Sequence, residues 1–490
     1  MSNYLRSGFK SRNGRLYNRS LMIRDSFDLP LRSRRCWLRQ MAKAGLGLSL
    51  LRAQRLFAGG MSFPLSANAQ AKASPSPPFS DSDEALLEDI EKAGFKYFWT
   101  QAHPETGMVL DRCDARNPVT SEIGSIAATG FGLTAICVGE KRGYISSSAA
   151  QDRVLNTLRF LWKKLPNHRG FFYHFANINT GERIWDSEVS SIDTSILLCG
   201  VLTCRQHFAH PEIRQLALEV FHRVDWNWLS EDTPLLPHGW TPEGGFLQYR
   251  WGDYSELMMM YLLGLGSPTH PLPPETWNAW KRVTFEYDGI RYIGAFAPLF
   301  VHQYSQAWFD FRGKRDRYAN YFQNSILATE AHRRFCVDLS DQFPDYSDDL
   351  WGITASDSKN GYIAWGGPPE RGSIDGTVVP CATAGSLPFL PEAAIRVQRT
   401  MKDRYGAKAW TQFGFVDAFN PLNDWYNPDV IGIDLGISLV MAENARTSFV
   451  WDTFMKNPEA QRGMQRAGFK PDGTAPSQTA PQGLSAKPQR

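Results

Sequence analysis

The chain has 490 residues, 42% of them hydrophobic and 21% charged, a composition that excludes a disordered or fibrous protein and supplies apolar surface for a large core. Its formal charge of +3 divides unevenly: residues 1–60 hold thirteen Lys and Arg against Asp25 and Asp28, a net +11, and the remainder carries −8. That split argues against nucleic acid or an anionic membrane surface as the partner of the body of the chain.

In chain order, the first element is Ser33-Arg34-Arg35-Cys36-Trp37-Leu38-Arg39, a twin-arginine pattern, followed by a weakly apolar stretch from Met41 to Leu51 and the small-x-small triplet Ala67-Asn68-Ala69. Residues 1–70 therefore read as an export signal that delivers a folded protein to the periplasm or the exterior. The apolar stretch is shorter than the ~20 residues of a spanning helix, so no permanent membrane anchor is expected. The competing reading is a basic arm that binds a polyanion. Residues 71–82, with Ser74-Pro75-Ser76-Pro77-Pro78, read as a Pro/Ser linker. Cysteines outside the signal show neither Cys-x-x-Cys spacing nor a nearby histidine pair, so neither a metal nor another cofactor is expected.

From 83 to 469 apolar residues recur at three- and four-residue intervals, which predicts helices throughout one catalytic domain. Segments 84–99, 149–163, 212–229, 276–284, 316–337 and 391–404 are amphipathic and are expected to face water on one side. Segments 126–138, 192–204, 255–265, 298–310, 376–388 and 433–444 are apolar nearly all round, the pattern of a helix buried on every side. The two kinds alternate, six of each, which is the order of an all-α (α/α)6 toroid with inner and outer rings. Links from an outer to the next inner helix (100–125, 164–191, 230–254, 338–375 and 405–432) run to tens of residues, and loops of that length usually carry function. All five would emerge at the amino ends of the inner helices. Residues 470–490, rich in Pro, Gln, Ser and Ala, read as a disordered tail.

These long links carry carboxylates and aromatic rings in three groups: Trp185, Asp186, Glu188 and Asp193; Trp240, Glu243, Trp251, Asp253, Tyr254 and Glu256; Asp417, Trp425, Tyr426 and Asp434. No phosphate loop, dinucleotide glycine pattern, His-Glu-x-x-His or Gly-x-Ser-x-Gly is present. Ring faces pack on the C–H surfaces of sugars and carboxylates bind hydroxyls or exchange protons with a glycosidic oxygen, so the combination points to carbohydrate.

The runs Gly94-Phe95-x-Tyr97-Phe98-Trp99, Asp111-Arg112, Ser125-Ile126-Ala127-Ala128-Thr129-Gly130, Gly170-Phe171-Phe172-Tyr173-His174-Phe175, Glu188-x-Ser190-x-x-Asp193, Gly239-Trp240-x-Pro242-Glu243-x-Gly245-Phe246, Gly264-x-Gly266-Ser267-Pro268-Thr269-His270-Pro271, Asp310-Phe311-Arg312-Gly313, Trp351-Gly352-x-Thr354-Ala355-Ser356-Asp357 and Gly432-Ile433-Asp434-x-Gly436 resemble the bacterial glucoamylase-like glycoside hydrolase family that includes the inverting endo-β-1,2-glucanases. The resemblance spans nearly all of 83–468. It implies an (α/α)6 barrel and an inverting hydrolase acting on β-1,2-glucan. Two positions depart from the family's pattern: Leu435 stands where a glutamine is expected and Ile437 where a proline is.

Inversion needs a protonated acid on the leaving oxygen and an ionised base that activates water, roughly 6.5–9.5 Å apart. Glu256 heads an apolar helix and Glu243 sits on a glycine-flanked loop; either can be the acid, although Asp253-Tyr-Ser-Glu256 also has capping-box spacing and Glu243 could simply stabilise its loop. Asp434 starts the last inner helix, where the positive helix end keeps a base ionised; an ordinary helix-start Asp reads the same way. Glu188, Asp193, His174 and Arg312 are assigned to sugar hydroxyls or to holding rim carboxylates, and Trp185, Trp251, Tyr254, Trp351 and Trp425 to sugar contact, against a competing role in core packing. The partner expected is a β-glucan oligosaccharide or polysaccharide, bound by a monomer. A non-hydrolytic glucan binder or a transglycosylase is the alternative, and a polysaccharide lyase with Tyr254 as base is a third, disfavoured by the acidic rim.

Overall fold

The computed structural model describes residues 79–118, 121–295, 298–368 and 372–473; the expected export signal, residues 1–70, lies outside the described residues. The chain is mostly helical. Helices of nine residues or more among the described residues are α1 (Asp81–Thr100), α2 (Ile126–Lys141), α3 (Ser147–Lys163), α4 (Ser191–His207), α5 (Pro211–His222), α6 (Met258–Gly266), α7 (Tyr321–Asp338), α8 (Pro391–Thr400), α9 (Gly432–Thr447) and α10 (Pro458–Arg466).

They are of the two kinds that the apolar spacing predicts. Every residue from Ile126 to Gly139 in α2, from Ser191 to Cys204 in α4 and throughout α6 is buried, as is Asp434 to Asn444 in α9. By contrast α3 buries only one stripe, including Val154, Leu158 and Leu161, and α5 does the same with Ile213, Leu216 and Val220. Helix α1 begins at Asp81, inside the stretch that reads as linker, because the Ser80 hydroxyl accepts from the Asp83 N–H while the Asp83 carboxylate accepts from the Ser80 N–H.

Three predicted helices take other forms. Segment 298–310 folds as two 3-10 turns, Leu299–His302 and Tyr304–Ala307. Its side chains bind neighbouring segments instead of a helical neighbour, Gln303 Nε2 to Ala382 O and the Ser305 hydroxyl to Glu256 O, and its bulky rings have modest helix propensity. Segment 276–284 yields a single turn, Thr276–Ala279, and then a hairpin pairing Val283–Tyr287 with Ile290–Gly294. Asp288 and Gly289 both adopt positive φ between the two strands, the Asp-Gly turn that suits a two-residue hairpin. Segment 376–388 keeps only Pro380–Ala384. Helix α10, which the apolar spacing does not announce, packs on α6; Gly266 lies so close that a Cβ there would fall 2.0 Å from Glu459 O. At the carboxyl end, Lys470–Pro471 pairs with Lys314–Arg315, so the expected tail starts within the fold.

Helices α4, α2 and α9 lie side by side. The α2–α4 seam is backbone on backbone: a Cβ on Gly130 would lie 2.5 Å from Ile196 O, and one on Gly200 2.1 Å from Gly130 O. Short antiparallel pairings join the loops that precede these helices. Arg112–Asp114 pairs with Asp429–Ile431, Ile123–Ser125 with Phe175–Asn177, and Val189–Ser190 with Gly239–Thr241. The amino ends of α2, α4 and α9 are thereby gathered beneath one set of loops.

The opposite ends of α2 and α9 hold an ionic cluster. Glu91 of α1, fully buried, lies 2.7 Å from both Arg142 and Arg446, while Arg446 also binds Glu84 and Arg142 also binds Glu88 and Glu443.

Candidate active site

Asp434 occupies the first turn of α9, whose N-cap is Ile431 and which no side chain caps. The unsatisfied N–H groups of that turn favour an anion at this end. Beside it, Asp417 is 4% exposed. Its Oδ2 accepts from the Asp357 N–H at 2.7 Å and from Asn427 Nδ2 at 3.1 Å. Burial and then the negative charge of Asp434 push the Asp417 carboxyl well above the usual carboxylate range. Arg112 donates to Asp357 at 2.7 Å and to Asp111 at 3.1 Å. Asp417 and Asp434 line one small pocket together with Gly94, Cys381, Gln398 and Leu435.

A second group stands at the amino end of α4. His174 Nδ1 lies 3.4 Å from Glu188 and its Nε2 3.6 Å from Asp193, so one imidazole spans two carboxylates. The Ser190 hydroxyl caps the helix by accepting from the Asp193 N–H at 2.9 Å. This group adjoins α2, because the Ile126 N–H donates to His174 O.

Above them, Arg183 grips Glu243 with two hydrogen bonds of 2.6 and 3.0 Å. That grip holds the Glu243 carboxyl below its usual range, the reverse of what a proton donor needs while it lasts. Trp185 is the exposed ring of the region, 43% accessible, and packs edge-on against Phe175. Trp185 and Asp186 both adopt positive φ, a conformation unfavourable to side chains of this kind that a loop keeps only when its surroundings enforce it.

Glu256 is 1% exposed and precedes α6. The capping-box role that its spacing allows does not occur, since the helix starts at Met258 with Leu257 as an uncapped N-cap. Ser305 donates to Glu256 O at 2.7 Å, and the adjacent Tyr304 hydroxyl reaches Ile433 O at 3.4 Å. The second 3-10 turn thus bridges the starts of α6 and α9.

Of the other sequence candidates, one lies at the far end of the helices. Arg312 pairs with Asp310 at 2.9 Å and donates to the Ser448 hydroxyl just past the carboxyl end of α9, the end away from Asp434; its motif resembles a rim loop only in composition. Trp351 is fully buried. Trp251 is buried, stacks on His238 and donates its indole N–H to the Ser191 hydroxyl at 2.9 Å. Tyr254 is buried 3.2 Å from His302 Nδ1, and burial pushes its phenol up, the direction opposite to what the base of a lyase needs. Trp425 is half-buried in a hairpin with Phe419–Asn420, close in sequence to Asp417. Sequence reasoning gave no role to Arg112, Asp357 or Asn427; Arg112 and Asp357 do stand in the recurring runs, but only the fold brings them to Asp417. Among the described residues no group of three or more His, Cys, Asp and Glu is arranged to hold a metal ion, and no helix is long and apolar enough to cross a membrane.

The family profile described as "Putative glucoamylase" matches residues 248–458. Over 423 residues the chain is 29% identical to the exo β-1,2-glucooligosaccharide sophorohydrolase (non-reducing end) of Parabacteroides distasonis, covering 78% of this chain. The chain spans only 58% of that relative's length. Among solved structures, a "putative glucoamylase" of Bacteroides fragilis is 32% identical with a TM-score of 0.74, over 81% of this chain and 99% of that one. The endo-β-1,2-glucanase of Chitinophaga pinensis, solved with sophorotriose and glucose, is 28% identical with a TM-score of 0.75, over 80% of this chain and 99% of that one.

Proposed function

The chain belongs to the glucoamylase family that includes bacterial β-1,2-glucanases and a β-1,2-glucooligosaccharide sophorohydrolase, and from that premise we propose that it hydrolyses β-1,2-glucan with inversion on the amino-terminal rim of an (α/α)6 barrel. The observation that carries this reading is the gathering of Asp434, Asp417, Glu188 and Asp193 at the amino ends of adjoining buried helices, under loops that present Trp185, Glu243 and Trp425. Asp434 is the base: the helix end keeps it ionised and able to take a proton from the attacking water. Glu243 is the acid in this reading. Its hairpin is solvent-accessible and a sugar can reach it, whereas Glu256 is enclosed, and reach precedes acidity in choosing a proton donor. Substrate must then displace Arg183 from Glu243, which frees the carboxyl to take up the proton it donates to the leaving oxygen. Glu188, Asp193 and His174 hold hydroxyls, and Trp185 and Trp425 stack on rings. The twin-arginine segment supports export as the route to this substrate.

The test is an assay of wild type, Glu243→Gln, Glu256→Gln and Asp434→Asn on β-1,2-glucan, following new reducing ends and the anomer first formed. The expected result is the α-anomer from wild type and roughly 10²- to 10⁴-fold slower turnover for Asp434→Asn and Glu243→Gln. Cleavage of another glucan instead, or lengthened rather than shortened products, overturns the reading.

A further inference from the structure

Asp417 and Asp434 are two buried, neighbouring carboxyl groups, and the cation of their cluster does not serve them. Arg112 is taken up by Asp111 and Asp357. The remaining charged groups around Asp417 are acidic too: Asp357, whose N–H it accepts, and Asp429, whose carbonyl accepts the Asp417 N–H at 3.0 Å. Two adjacent carboxylates in such surroundings share one proton, and the geometry says where it resides. Asp417 Oδ2 already accepts two N–H donors, so it acts as an acceptor only. Asp417 Oδ1 is buried and meets no donor among the described residues. Asp434, on the positive end of α9, is the member of the pair that the backbone favours as the anion.

We propose that Asp417 is a positioning residue for Asp434: it keeps a proton on Oδ1, donates it in a hydrogen bond to the Asp434 carboxylate, and thereby holds that carboxylate ionised and fixed in orientation. This rests on Asp434 being the base. The proton stays on Asp417 through the cycle; the proton removed from water goes to Asp434, and the leaving oxygen receives its proton from the acid. Burial and the Asp434 charge raise Asp417 in the direction this requires.

Infrared difference spectra at pH 7 of wild type against Asp417→Asn read the proton directly, without turnover. Wild type should show the carbonyl stretch of one additional protonated carboxylic acid. Because asparagine still offers an N–H donor, Asp417→Asn should keep kcat within about 10-fold, whereas Asp417→Leu should lower kcat by roughly 10- to 100-fold with KM within about twofold. In Asp417→Leu the acid limb of the kcat/KM profile should also rise by about one pH unit, since Asp434 has lost the donor that favours its charge. No lost carboxylic acid band, or equal losses in both variants with an unmoved acid limb, overturns the proposal. Asp434→Asn separates the two readings: wild-type rate in that variant removes Asp434 as base, while the infrared band still reports whether Asp417 holds its proton. If Asp417→Leu does not fold, the spectrum and kinetics of Asp417→Asn decide.

Discussion

The two ends of α2 and α9 carry the same kinds of residue and use them in opposite ways. At the carboxyl ends, Glu84, Glu88, Glu91 and Glu443 close around Arg142 and Arg446, so that burial of charge is offset in part by guanidinium contacts. At the amino ends, Asp417 faces Asp434 while Arg112 binds other partners. Acids that meet cations fasten one element to another. Acids that meet each other are costly to bury, and such a cost marks groups retained for chemistry.

The sharpest way to break this contrast is to alter one residue at each end and measure both rate and stability. Asp434→Asn should abolish most turnover, roughly 10²- to 10⁴-fold, while its melting temperature stays at or above that of wild type, because one buried negative charge is removed; a large loss of melting temperature would make Asp434 structural. Arg446→Met should do the converse, lowering unfolding free energy by about 3–5 kcal/mol through stranded carboxylates with kcat/KM unchanged, as denaturant titration and kinetics on the same sample can establish. At the rim, Trp185→Ala should raise KM about 5- to 10-fold with little change in kcat, the loss of one stacking face. The smallest effect concerns pH. Burial and the Glu443 charge push Glu91 from 4.5 up to about 8 against its two arginines. A carboxyl raised on folding contributes stability below its unfolded value and loses it as pH climbs toward the folded one. Calorimetric melting temperatures should therefore fall between pH 5 and pH 8, and Glu91→Gln should flatten that slope.

The sequence reveals most where burial is total. The segments 126–138 and 192–204, apolar nearly all round, read as enclosed helices and are buried throughout. It reveals least where tertiary partners override local pattern. Leu299–Ala307 has helical apolar spacing but spends its side chains on other segments, and α10 buries so narrow a stripe, Ala460, Gly463 and Met464, that its charge conceals it. The Asp288-Gly289 turn, just past the predicted helix 276–284, is the legible sign of the hairpin that begins at Val283. At the candidate site, Asp434 is visible as the acid that opens an apolar helix, whereas the setting of Asp417 depends on Asn427 of its own loop and on Asp357, brought in from a separate one. Arg312 misleads for the complementary reason: Asp310-Phe-Arg-Gly has the composition of a rim loop and lies at the other end.

The seam between Gly130 and Gly200 sets a fixed gauge for everything above it. Because α2 and α4 touch through bare backbone, no repacking of side chains can bring them nearer or let them part. His174 is tethered to the start of α2 and Asp193 rides on the start of α4, so the span of the jaws that would hold a sugar is inherited from two missing methyl groups farther along the helices. On the proposed reading, a variant that widened this seam by one carbon would change which sugar fits without touching a single residue that meets it.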